Sequence, residues 1–119
     1  MIEVIDLDST KVVGTRISGK ISKPDMERLI DACEQKFTQS EPVSIYVEVE
    51  SLGGISLEAL VADLKFALAN FKRFDKKAVV SDQQWLGKMA EFGDQLFPSL
   101  EVRHFSLEQK QAALDWILA

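Results

Sequence analysis

Two kinds of hydrophobic pattern alternate along the chain. Short segments rich in branched apolar residues predict β-strands, and longer segments whose apolar residues recur every three or four positions predict amphipathic α-helices. Strands are expected at residues 2–7, 12–17, 43–50, 78–80 and 101–105. The polar turn at residues 8–11 joins the first two strands and predicts an antiparallel hairpin at the start of the chain.

Helices are expected between the later strands and after the last one. Their N-cap candidates are Ser22, Ser56 and Ser106. The first helix should end before Pro42, and the third, at residues 83–97, should end before Pro98. Gln109 would complete a capping box at the start of the final helix, which is expected to run to Leu118.

The strand at residues 43–50 is the most informative segment, because its apolar and polar residues alternate strictly. One side carries Val43, Ile45, Val47 and Val49, and the other carries Ser44, Tyr46, Glu48 and Glu50. This alternation is typical of a strand with one buried face, so a central strand with an open side is expected. Tyr46 and Glu48 should then stay partly accessible. The predicted core is formed by Ile45, Val47, Leu60, Leu64 and Val79.

The second and third helices each carry more apolar surface than one packing contact needs. On the second helix the main apolar side, expected to face the core, is formed by Leu57, Leu60, Val61, Leu64, Leu68 and Phe71. The opposite side holds Ala59, Ala62, Phe66 and Ala69, small residues that permit close packing, with Phe66 as a possible anchor. The third helix has a broad apolar side that includes Trp85, Met89 and Phe92. Either it is wedged between the sheet and a neighbouring helix, or it forms a dimer surface or a lid over an apolar ligand.

The predicted order of elements is β-β-α-β-α-β-α-β-α. Strands joined by helical crossovers lie parallel, so the order predicts an α/β fold with a mixed five-stranded sheet, antiparallel only at the opening hairpin. The alternation within residues 43–50 further predicts that the helices cover mainly one face of this sheet. With 119 residues and no linker or repeat, the chain is expected to form a single domain over residues 1–119.

Charge and composition narrow the classes of partner and of cofactor. The net charge of −5 opposes binding to phosphate backbones, so nucleic acid is an unfavourable partner. Cys33 is the only cysteine and there is one histidine, His104, so neither a disulfide, a zinc site nor another cofactor is expected, and a reducing cytoplasm fits best. The N-terminal residues have no basic flank or long apolar run, which argues against a signal peptide or membrane span.

The glycine turn after the strand at 43–50 is the first candidate site. Gly53 and Gly54, followed by Ser56, place backbone N–H groups at a helix N-terminus, where an anion could bind. The simpler interpretation, a tight turn with an N-cap, is preferred because no lysine follows and Glu48, Glu50 and Glu58 would repel a phosphate.

The order of elements, with its glycine turn leading into a capped helix, resembles the STAS fold of anti-sigma-factor antagonists, and more narrowly the bacterial SpoIIAA-like (STAS/SEC14-like) family. Three segments carry this resemblance, residues 45–49, 81–86 and 101–105. In the antagonists an Asp-Ser-Ser-Gly segment at the helix start carries a phosphorylated serine. Here residues 55–59 read Ile-Ser-Leu-Glu-Ala, with Leu57 near that position, so the phospho-switch is not expected.

The resemblance implies a non-enzymatic, cytoplasmic regulatory or protein-interaction module that binds another protein or itself as a homodimer. The alternative is a binder of a lipid or another apolar small molecule, as the SEC14 side of the resemblance implies. An enzyme is disfavoured, because Glu48 and Glu50 have no evident partner that would orient a substrate. The candidate ligand- or partner-contacting residues are Ser51, Gly53, Gly54, Ser56, Phe66, Asp82, Trp85, Met89 and Phe92.

Overall fold

The computed structural model of the chain, which describes residues 1–84, 88 and 99–119, has the predicted α/β fold with a mixed five-stranded sheet. The order of its strands is β1 (Ile2–Ile5), β2 (Val12–Ile17), β4 (Val43–Val49), β6 (Phe74–Val80) and β7 (Glu101–Phe105). β1 pairs antiparallel with β2, which confirms the opening hairpin, and the other neighbours are parallel. β6 begins four residues earlier than the predicted strand at 78–80.

Three helices lie within the described residues. α1 is Lys23–Phe37, α2 is Leu57–Asn70 with a 3₁₀ turn Phe71–Arg73 after it, and α3 is Lys110–Leu118, preceded by the 3₁₀ turn Leu107–Gln109. The three predicted caps are confirmed. Ser22 and Asp25 form a capping box on α1, the Ser56 hydroxyl accepts from the Ala59 N–H at 3.1 Å, and Ser106 and Gln109 form a capping box. The predicted helix at 83–97 lies almost entirely outside the described residues.

Helices cover both faces of the sheet. On one face, α1 and α2 pack over Val13, Val43 and Phe74. On the other face, α3 places Ala113 and Ile117 against residues that include Val12, Tyr46, Ala78 and Val80. Two of the three described helices thus lie on the same face, but the opposite face is closed at its centre by α3.

The central strand β4 therefore has no open face, which corrects the sequence expectation. Val47 and Val49 are buried as expected, but Tyr46 and Glu48 are also buried, with only 1% and 2% of their surface exposed. The reason is α3, which covers the Tyr46 side of the strand. Glu48 tolerates this burial because basic side chains on other elements neutralise it.

The orientation of α2 is the second correction. Ala59 is fully buried, whereas Leu60 and Leu64, both assigned to the core from the sequence, are exposed. Of the other predicted core residues, Val47 and Val79 are buried and Ile45 is partly buried in the cluster under α1. The side of α2 that was expected to face the core is therefore the side that faces outward.

A short parallel ribbon connects the start of α2 to the hairpin side of the fold. It pairs β3 (Lys20–Ile21) with β5 (Gly54–Ile55), and Gly54 adopts a φ of +132° that a residue with a side chain rarely adopts. Ile21 from this ribbon packs with Ile2, Met26 and Ala59 in a third core cluster. The ribbon fixes the entry of α2 and buries its Ala59 side.

Candidate partner-binding surface

The most conspicuous exposed feature in the described part of the chain is a band of apolar side chains on α2, which we call the leucine surface. Its members are Leu57, Leu60, Val61, Leu64 and Leu68, with exposed fractions of 76%, 40%, 41%, 52% and 65%. At about 100° per residue, these five positions fall within a band of about 100° of the helix circumference. A contiguous apolar band of this kind is typical of a binding surface rather than of scattered surface leucines.

The opposite side of α2 fixes this orientation. The Phe66 ring lies 6.4 Å from the Phe37 ring and 6.0 Å from the Phe74 ring, measured between centroids, and the three rings form one cluster between α1, α2 and the sheet. Ala59 and Ala62 let α1 approach closely. Phe66 is therefore a core anchor of α2, and the leucines are the side chains that α2 exposes to solvent.

Charged residues border the leucine surface on one side. Glu58, Lys65 and Lys72 are all exposed and follow one another at intervals of seven residues. Since seven residues make almost two full helical turns, Glu58 and Lys65 lie along one edge of the band, and Lys72 follows in the 3₁₀ turn just beyond the end of α2. The edge is acidic at the start of α2 and basic beyond its end, which gives the surface a direction.

The glycine turn lies at the N-terminal end of this surface, and its polar groups are engaged. The Ser51 hydroxyl accepts from the Gly19 N–H at 3.0 Å, the Gly53 N–H donates to the Gly19 carbonyl at 2.8 Å, and the Ser56 N–H donates to the Ile21 carbonyl at 3.0 Å. These bonds support the interpretation of the turn as a tight connection with an N-cap rather than an anion site. Ser51, Gly53, Gly54 and Ser56 are exposed, so their contact with a partner stays a prediction.

The remaining sequence-predicted residues do not join this surface in the described structure. Asp82 is exposed, and its carboxylate accepts from the Leu107 N–H at 2.9 Å, which ties the loop after β6 to the segment that leads into α3. Trp85, Met89 and Phe92 lie outside the described residues.

A buried polar cluster around Glu48 was missed by sequence reasoning. Its carboxylate accepts from Arg16 Nε at 2.8 Å and from the Tyr46 hydroxyl at 2.9 Å, and Lys110 Nζ lies 3.4 Å away. Burial alone would raise the pKa of Glu48, but the hydrogen bonds from Arg16 and Tyr46 and the two positive charges outweigh it and lower that pKa. A signal existed, because Arg16 and Glu48 are opposite charges on neighbouring strands.

Two other side chains of types that are often reactive, a cysteine and a histidine, also have structural roles. Cys33 is fully buried, and its burial raises the pKa of the thiol to about 12. A His104 ring nitrogen lies 2.8 Å from the Ser81 carbonyl oxygen. Across residues 1–84, 88 and 99–119, no group of three or more His, Cys, Asp or Glu side chains is arranged to hold a metal ion.

A cleft of about 370 Å³ opens between the β1–β2 hairpin and the C-terminal half of α1. Its apolar lining includes Val4, Ile5 and Leu7, and its polar lining includes Gln35 and Lys36. The cleft is thus a mixed surface, on the far side of α1 from the Ala59 contact. Among the described helices, none has the length and apolar character needed to span a bilayer.

Comparison with known proteins gives two matches. The sequence matches the profile of the SpoIIAA-like family over residues 12–118. The fold is similar to the crystal structure of an uncharacterized protein of the DUF3478 family with a SpoIIAA-like fold from Shewanella loihica PV-4. That match has a TM-score of 0.78 and 24% sequence identity, and it covers 98% of this chain and 93% of the other. No curated protein matches this chain.

Proposed function

Because the chain belongs to the SpoIIAA-like family, we propose that it is a non-enzymatic STAS-like regulatory module that binds a protein partner through the leucine surface of α2. One observation carries this proposal, namely the exposure of five apolar side chains in a single band on the helix that follows the central strand. Burial of such a band removes apolar area from water and is the main source of binding free energy in protein interfaces.

The chemistry of the described residues supports a non-enzymatic role. Glu48 is an ionised carboxylate with a lowered pKa and three basic or hydroxyl partners, so it is a poor general base. Cys33 is inaccessible, and a thiol with a pKa of about 12 is protonated at neutral pH. A single buried cysteine also fits a reducing compartment such as the cytoplasm.

The sequence at the start of α2 supports regulation by binding rather than by a phosphoserine at the position used in the antagonists. The segment reads Ile55–Ser56–Leu57, with Leu57 exposed where the resemblance would place the phosphorylated serine. The Ser56 hydroxyl accepts the hydrogen bond that caps the N-terminus of α2. An apolar side chain at this place extends the leucine surface instead of carrying a switchable charge.

Site-specific photo-crosslinking in the native cell tests the proposal. A benzophenone amino acid at position 64 lies in the middle of the leucine surface, and the same group at position 34 lies on the exposed side of α1. We expect a discrete protein adduct, either with another protein or with a second copy, from position 64 and none from position 34. Equal adduct patterns at the two positions would refute a specific surface on α2.

A second candidate function, binding of a lipid or another apolar small molecule, is favoured by the cleft beside the β1–β2 hairpin. Val4, Ile5 and Leu7 could contact a short acyl chain, and Lys36 could pair with a carboxylate. Native mass spectrometry after mild lysis should then show a bound small molecule that is lost in a Val4→Asp variant. A protein mass free of ligand in the wild type would exclude this candidate.

A further inference from the structure

We propose that the leucine surface binds a second copy of this chain, with the two α2 helices packed antiparallel about a two-fold axis near Leu64. The inference deepens the proposed function and rests on it, because it names the partner of the same surface. A two-fold axis requires a surface that is complementary to itself, so that each residue and its counterpart exchange places in the two copies. Both the apolar residues of α2 and the charges on and just after this helix meet this requirement.

The apolar residues are compatible with an antiparallel register centred on Leu64. In this register Leu64 meets its own copy at the axis, and Leu60 lies opposite the partner's Leu68. Both pairs consist of side chains that are at least 40% exposed in the single chain. Helices that pack through such residues approach to 8–10 Å between axes, which brings these leucines into direct contact.

The charged edge selects the antiparallel arrangement. A two-fold axis perpendicular to the helices places the Glu58–Lys72 edge of one copy beside the same edge of the other, with the direction reversed. Glu58 then lies beside the partner's Lys72, and this pair forms twice. The midpoint of residues 58 and 72 is position 65, one residue from Leu64, so the charged pair and the apolar pairs need nearly the same antiparallel register.

A parallel pair about a two-fold axis along the helices places the two charged edges on opposite sides of the interface, so Glu58 and Lys72 of the two copies do not pair in that arrangement. In the antiparallel pair Lys65 lies near the axis beside its own copy, a cost that its long side chain reduces by extending into solvent. A lipid surface is a weaker candidate for the occupant, since Glu58 and the net charge of −5 oppose attraction to anionic headgroups.

The dimension of the surface also fits a pair of helices. α2 has 14 residues and is about 21 Å long, and the leucine surface covers most of this length. An interface of standard size buries about 800 Å² per partner. The leucines supply its apolar centre, and Glu58, Lys65 and Lys72 form a polar rim on one side, which is the usual composition of such an interface.

Analytical ultracentrifugation of the purified chain and of charge-reversed variants tests the inference. We expect the wild type to sediment as a dimer at tens of micromolar. Glu58→Lys and Lys72→Glu should each raise the dissociation constant at least about fivefold, because each turns two attractive pairs into repulsive ones. The double variant with both substitutions recreates the pairs with exchanged signs, so its dissociation constant should return towards the wild-type value. Circular dichroism checks that each variant is folded.

Three outcomes would overturn the inference. The first is a wild-type monomer at tens of micromolar, which leaves the proposed function to be decided by crosslinking to a different protein. The second is a double variant as weak as the single ones, which contradicts the antiparallel register. The third is a monomer that binds phosphatidylcholine vesicles and loses this binding in Leu64→Gln, which assigns the surface to lipid. If a reversed variant fails to fold, Leu64→Gln also serves in the sedimentation experiment and should give a monomer.

Discussion

Glu48 shows how a charged residue can occupy the middle of a central strand. Its carboxylate lies under α3 and accepts from Arg16 on β2 and from Tyr46 on β4, with Lys110 of α3 nearby. The cluster thus joins two strands and one helix through a single side chain. Arg16 also lies 3.4 Å from Glu50 and 3.8 Å from Glu3, so the positive charge is shared with exposed carboxylates.

Replacing Glu48 with Gln should lower the free energy of unfolding by about 2 kcal/mol, because hydrogen bonds to charged groups are lost and Arg16 keeps no buried counter-charge. Glu50→Gln, at an exposed position beside Arg16, is the matched control and should change stability by less than about 0.5 kcal/mol. Urea unfolding at pH 7 measures both. Equal effects of the two substitutions would mean that the buried cluster contributes nothing beyond surface charge.

The stability of the wild type should depend on pH through the same residue. The pKa of Glu48 is lower in the folded chain than its ordinary value of 4.5, so its contribution is complete above pH 4.5 and is lost as the pH falls through the lowered pKa. Urea unfolding from pH 7 to pH 3 should show the wild type and Glu48→Gln converging on the acid side. A constant difference down to pH 3 would contradict the lowered pKa.

Cys33 should be inert in the native chain, because it is fully buried and its pKa is about 12. Reaction with a chromogenic disulfide reagent at pH 8 is expected to be negligible before denaturation and to reach one thiol per chain in guanidinium chloride. Rapid stoichiometric reaction of the folded chain would show that α1 does not cover this residue as described.

At the scale of elements, local signals in the sequence predict where helices begin and strands pair. Each predicted N-cap is correct because its capping hydrogen bonds form within a single turn of the chain, whatever the rest of the fold does. The opening hairpin is equally local. The ribbon between β3 and β5 could not be predicted, since two-residue strands carry no periodic pattern and their pairing depends on distant segments.

The orientation of α2 could not be derived from hydrophobicity, because both of its sides are apolar. The leucine side has the larger side chains and is the natural candidate for the core. In the fold, the space between α1, α2 and the sheet is taken by the rings of Phe37, Phe66 and Phe74, and by Ala59 where α1 comes closest. Size complementarity at this contact, rather than total hydrophobicity, decides which side is buried.

Two alanine substitutions on α2 distinguish its buried side from its exposed side. Phe66→Ala should lower the free energy of unfolding by about 3 kcal/mol, because it leaves a cavity in the ring cluster. Leu64→Ala, at an exposed position, should change it by less than about 1 kcal/mol when the chain is dilute enough to be a monomer. Thermal unfolding at low concentration gives both values, and a larger effect for Leu64→Ala would mean that the leucine side faces the core.

For the whole molecule, the sequence predicted the mixed five-stranded sheet with helices mainly on one face, but not that α3 closes the centre of the other face. The alternation of strands and helices along the chain predicts the parallel crossovers, whereas the order of the strands within the sheet was not predicted. The Tyr46 side of β4 is covered because α3, which begins at residue 110, packs across the sheet. The residue pattern within β4 does not indicate this contact with a distant helix. The candidate surface could not be predicted either, because the leucines are exposed only in the orientation that α2 adopts in the fold.

The central claim is that the leucine surface of α2 is an exposed binding surface that joins two chains. Leu64→Cys tests it most directly, because the inferred two-fold axis passes close to this residue and brings the two cysteines within disulfide distance. Cys33 can stay in place, since it is buried. Glu34→Cys, on the exposed side of α1, is the matched control. Under mild oxidation at micromolar concentration, Leu64→Cys should form a covalent dimer much faster than the control, whereas equal rates for the two variants would contradict the account.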